Sequence, residues 1–169
     1  MAFWDRFITI NDQSSDNRNT LLSKIKSLLP NKSDKQYQII TCVAGLLARV
    51  AYTDFTIDPG EEESMKVALK TWTNLNNEDV DAIVKISLDE IKNLAGLENH
   101  LYTSALHEHL SKDERYQLLE SLFAVAAADG NVENQESEEI RLIATGLRLS
   151  HQHFISARAT VLDKLGALK

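Results

Sequence analysis

The stretch LLARVAYTDFTIDPGEEESMKVAL, residues Leu46–Leu69, is echoed by SLFAVAAADGNVENQESEEIRLIA, residues Ser121–Ala144. An offset of 75 lays Leu47 on Leu122, Val50 on Val125, Ala51 on Ala126, Asp54 on Asp129, Ile57 on Val132 and Glu61 on Glu136. Asp58 then meets Glu133, Met65 meets Ile140 and Lys66 meets Arg141. Each copy reads as an apolar helix ending near an aspartate, a short acidic turn, and a second helix opened by glutamates. One such hairpin cannot bury its apolar face alone, so two that pack together are the economical solution. The expected architecture is all-α: a single-domain helical bundle of about seven to nine helices, built from two related helix-turn-helix repeats.

Composition agrees. The 169 residues contain two prolines and six glycines, which leaves long unbroken stretches for helices. A 43% hydrophobic share with 25% charged residues suits a globular chain with a true core. The formal charge of −7 speaks against nucleic acid and anionic membranes as partners, since both select clustered Lys and Arg. It suits cations, or a basic surface on another protein or on a second copy of this chain. Cys42 is the only cysteine, so no intramolecular disulfide forms and a cytoplasmic setting is the default. The longest uncharged apolar run, Ile39 to Ala48, is too short to span a bilayer, and Met1–Phe7 has no apolar signal core.

Along the chain, Phe3, Trp4, Phe7 and Ile8 share one face of a short segment that reads as a plug on the body or on a partner. Residues 11–19 are polar and read as a loose link. Leu21, Leu22, Ile25, Leu28 and Leu29 follow helical spacing up to Pro30. Ser33 or Asp34 caps a helix predicted to reach about Asp54, and Asp58-Pro-Gly-Glu61 starts another near 59–74. Asn76 caps a helix striped by Val80, Ile83, Val84, Ser87, Ile91 and Leu94 and closed by Gly96. Leu101, Ala105, Leu106 and His109 mark a shorter helix, and residues 112–128, 134–147 and 150–166 complete the second copy. Residues 1–34 are thus an N-terminal extension, and 35–169 a helical domain with repeats near 35–95 and 111–166. No alternating strand pattern interrupts this reading.

The chemistry concentrates at the two turns. Continuing the stripe Val43, Leu47, Val50 leads to Asp54, and continuing Leu118, Leu122, Val125 leads to Asp129. Both aspartates are therefore expected to face inward or sideways toward the next helix. A carboxylate there sits at the negative end of its own helix dipole, so backbone amides or a cation must compensate it. Asp129-Gly-Asn-Val-Glu-Asn-Gln-Glu136 matches the second half of a calcium-binding EF-hand loop. The first half fails, with Val125 and Ala127 where carboxylates belong, and copy one places Phe55 where the turn glycine belongs. What remains is a pair of half-loops offering Asp129, Glu133 and Glu136, and by alignment Asp54, Asp58 and Glu61. Capping and turn formation explain these acids without a ligand; a divalent cation such as calcium is the alternative.

The run Ala126-Ala-Ala-Asp-Gly130 through Glu136 and Glu139 resembles the TerB-like proteins of bacterial tellurite resistance. A similar domain stands at the N-terminus of a membrane-anchored DnaJ-type co-chaperone. The resemblance covers about residues 35–165. It implies a duplicated all-helical fold, with Asp54, Asp58, Glu61, Asp129, Glu133 and Glu136 as the metal-associated positions. Phe55 and Glu133 depart from its pattern, where a glycine and a good N-cap residue are expected.

Elsewhere the residues are ordinary. His107 and His109, like His151 and His153, are two apart and point to different faces of a helix, which does not suit zinc. His153, three residues after Ser150, suits local capping. Cys42 lies on an apolar stripe and reads as core. Trp72 and Trp4 read as core or partner anchors. No nucleophile elbow, phosphate loop or dinucleotide fingerprint is present, and paired acids at helix starts are explained by capping without a hydrolytic role. The expected function is non-enzymatic: a stress- and tellurite-resistance-associated protein whose acidic turns take a divalent cation. A metal-free protein-interaction module is the second possibility. Direct reduction of tellurite is not expected, because acidic surfaces repel an oxyanion and no thiol pair is present.

Overall fold

Helix starts in this chain are written locally, and the computed structural model, which describes residues 15–54, 56–93 and 100–167, places them accordingly. The helices are α1 (Ser15–Leu28), α2 (Asp34–Ala51), α3 (Pro59–Trp72), α4 (Asn77–Asn93), α5 (His100–His109), α6 (Lys112–Ala126), α7 (Asn134–Gly146) and α8 (His151–Ala167). No strand occurs among the described residues. Ser33 opens α2 with a reciprocal cap: its Oγ accepts from the Gln36 amide at 3.2 Å, and the Gln36 side chain accepts from the Ser33 amide at 2.9 Å. Ser111 and Glu114 open α6 in the same way. Asn76 accepts from the Asp79 amide at 2.8 Å before α4. Ser150 caps α8, with His153 Nδ1 accepting from the Ser150 amide at 3.1 Å.

α2 is buried on nearly every face, which an apolar run such as Ile39 to Ala48 requires. It packs against α1, α3, α4, α5, α6 and α7 and forms the axis of the bundle. Gly45 makes room for the Tyr102 ring of α5: a Cβ there would sit 3.1 Å from Tyr102 Cζ. α6 is the second central helix, burying Leu118, Leu119, Leu122, Phe123, Val125 and Ala126. Each such leucine or phenylalanine contributes about 1.5–3 kcal/mol.

Residues 15–19, expected as a loose link, belong to α1. They escape notice because the apolar stripe begins only at Leu21. That stripe packs α1 on α2 and α4, and Lys24 pairs there with the buried Glu90. The candidates Phe3, Trp4, Phe7, Ile8, Phe55, Leu94 and Gly96 lie outside the described residues.

The two central helices also exchange their partners. α3, which continues from α2, packs on α6 as well, and α7, which continues from α6, packs on α2 as well. Arg49 of α2 reaches Glu139 of α7 at 2.9 Å. This crossed packing carries the two acidic bends toward one another.

Candidate functional site

Both bends use the same local devices. α2 stops at Ala51 and α6 at Ala126, three residues before each aspartate. Beyond those points the 3.6-residue periodicity no longer applies, and Asp54 and Asp129 do not face inward as expected. Both are exposed, and each closes a turn instead. Asp54 Oδ1 accepts from the Thr56 amide at 3.0 Å, and Asp129 Oδ1 from the Asn131 amide, also at 3.0 Å. Gly130 supplies the left-handed backbone of the second bend, with φ of 96°.

The next helix of each hairpin then starts with a glutamate turned back onto its cap. Glu61 Oε2 accepts from the Asp58 amide at 2.8 Å, and Glu136 Oε2 from the Glu133 amide at 2.9 Å. Asp58 Oδ1 also accepts from the Gly60 amide at 2.7 Å. These contacts satisfy orphan amides at the positive ends of α3 and α7. Folding back carries Glu61 and Glu136 inward, leaving them 7% and 6% exposed, while Asp58 and Glu133 stay on the surface.

There the two hairpins meet. The Glu61 and Glu136 carboxyls lie close enough there to act on each other's titration. Nearby, Gly60 lies against the second bend, its would-be Cβ 3.5 Å from the Ala128 carbonyl oxygen. Burial pushes Glu136 up to about 7, offset in part by the Glu133 amide and reinforced by Glu61 and Asp129. Burial likewise raises Glu61, opposed by the Asp58 amide and by Glu136, with Asp54 and Asp58 adding to the rise. At neutral pH Glu136 is therefore only partly ionised.

The six acids singled out from the sequence therefore divide into two groups. Glu61 and Glu136 come together in the interior; Asp54, Asp58, Asp129 and Glu133 surround them at the surface, three of them close enough to act on the pair electrostatically. Whether the bends lie together or at opposite ends was open in the sequence, and they lie together. Among the described residues, no three His, Cys, Asp or Glu side chains stand grouped as metal ligands. The pairing itself was not foreseen, although glutamate at the third position of both α3 and α7 was its visible signal.

Other candidates take structural places. Cys42 is fully buried, and burial pushes its thiol far up. Trp72 is half-buried and its indole donates to Ser121 Oγ at 3.5 Å, joining α3 to α6. His109 hydrogen-bonds Gln38 between α5 and α2. Among the described residues, no helix is long and apolar enough to cross a membrane.

No match was found among the curated proteins or among the solved structures. Residues 41–159, well over half of the chain and both bends with it, match the family model described as tellurite resistance protein TerB. A chain whose two acidic bends both fall within a match of that length belongs to the TerB family.

Proposed function

We propose that this chain serves tellurite resistance as a non-enzymatic protein whose Glu61–Glu136 pair exchanges a proton for a divalent cation. One observation carries the reading: two buried carboxyls, one from each hairpin, meet where no ion pair among the described residues neutralises them. Hard oxygen donors suit calcium, magnesium or manganese. Each glutamate commits one oxygen to a cap amide, which orients the carboxyl toward its twin. Asp54, Asp58, Asp129 and Glu133 are the residues that would supply further ligands. A bound cation would supply charge neutralisation, clamping the hairpins together. The lone buried Cys42 suits a reducing cytoplasm. The role needs no reacting group.

A metal-free interaction module, of the kind attached to co-chaperones, is the second reading. It is favoured by one observation: amides of the bends already satisfy Asp54, Asp58, Glu61, Asp129 and Glu136. Thermal melting in millimolar calcium or manganese separates the two readings. Cation binding to the native state must raise the melting temperature, and more so at pH 8 than at pH 6, where the proton competes. No rise at pH 8 removes the cation and leaves the interaction module.

A further inference from the structure

The helices of the two hairpins correspond one to one, but they are not equally covered. α2 packs on α3, α4, α6 and α7, and α6 packs on the matching set α7, α8, α2 and α3. α2 is further covered by α1 and α5, whereas no described helix takes either place on α6. The difference shows residue by residue. Cys42, Gly45 and Leu46 of α2 are buried, with the Tyr102 ring of α5 lying over Gly45. Their counterparts at the offset of 75, Gln117, Glu120 and Ser121 of α6, are exposed or half-exposed. α4 (Asn77–Asn93) and α8 (His151–Ala167) match at an offset of 74, which sets Glu90 against Lys164. Glu90 is buried where α1 packs and is paired with Lys24; Lys164 is exposed. Between α6 and α8 this leaves a surface groove of about 420 Å³, lined by the small apolar Ala124, Ala127, Ala128 and Val161 and by the charged Glu120 and Lys164. Among the described residues, neither charge is in an ion pair.

We propose that this groove is the interface with a second copy of the chain, in a two-fold dimer that sets Glu120 of each copy against the partner's Lys164. A two-fold axis brings the same patch to both sides, so the patch must complement itself. A carboxylate on the α6 wall and an ammonium on the α8 wall do that, because the axis turns each toward its opposite on the other copy. The alanines remove side-chain bulk, which lets the exposed ridge of α6 enter the matching groove of the second copy. The same charges exclude the occupant that covers the first hairpin, since a helix like α1 would bring Lys24 onto Lys164. With a formal charge of −7 on each copy, the overall field opposes association, and the reciprocal pairs act at contact to fix the register. Glu61 and Glu136 do not line the groove, so the dimer and the cation reading fail separately.

Sedimentation of the full chain in a chelator, over concentrations up to millimolar, reads the oligomeric state. A concentration-dependent dimer is expected. Glu120→Lys and Lys164→Glu each set like charges together twice across the axis, and each should weaken the dimer about tenfold or more. Neither side chain is buried, so both variants fold, which melting by circular dichroism checks. The double variant Glu120→Lys/Lys164→Glu restores opposite charges across the axis and should recover the dimer, which mere damage to the surface would not allow. A monomer at every concentration, the result if the groove instead takes Phe3 and Trp4 of its own chain or a different protein, would overturn the proposal. So would a dimer indifferent to the single reversals, or a double variant that stays monomeric.

Discussion

Glutamine at position 136 keeps the shape of the buried pair and removes one of its charges. The amide can still accept from the Glu133 N–H and stays uncharged beside Glu61, so the helix start and the contact between hairpins persist. What changes is titration. Glu136 lies at about 7 in the fold against 4.5 for an ordinary glutamate. Below the lower value it is protonated folded and unfolded alike, and its full contribution is present. Between the two values the unfolded chain releases the proton while the fold retains it, so stability falls as pH rises through this window. Above the upper value the penalty is complete, at about 3 kcal/mol from about 1.4 kcal/mol per unit. Glu136→Gln carries no such penalty. With a chelator present, the variant should match the natural chain near pH 4. At pH 8.5 it should exceed it by about 3 kcal/mol, or roughly 6–12 °C in melting temperature. Melting followed by circular dichroism across that range checks this. Two curves separated by a constant amount at every pH would refute a raised Glu136 at the junction.

Three further outcomes rest on the same geometry. Gly130→Ala meets no atom within 4 Å but must hold a φ of 96°. It should lower stability by about 1–2 kcal/mol through backbone strain, and melting within 1 °C or so of the natural chain would show that the bend relaxes otherwise. Gly45→Val presses on the Tyr102 ring, 3.1 Å from the first added carbon, and should cost about 1–3 kcal/mol by chemical denaturation. Cys42, wholly buried with its thiol pushed up, should ignore a thiol reagent in the native protein and react fully in denaturant.

The helices were legible because their signals are local. Ser33 with Gln36, Asp58 with Glu61 and Ser150 with His153 each announce a start within four residues. That α2 forms the buried axis came from the structure, where nearly every face of the helix is covered. Asp54 and Asp129 were misplaced because periodicity was carried past the true helix ends at Ala51 and Ala126. The bends' adjacency was not legible at all: it arises from α3 crossing onto α6 and α7 onto α2.

The most direct test follows the side-chain carboxyl carbons of Glu61 and Glu136 by NMR through a pH titration, without and with calcium. Without calcium, Glu136 should hold its proton up to about pH 7 and Glu61 should titrate above its ordinary value. Calcium should drive that proton off and shift both carboxyl signals together. Midpoints for both near the ordinary 4.5, unmoved by calcium, would contradict the account.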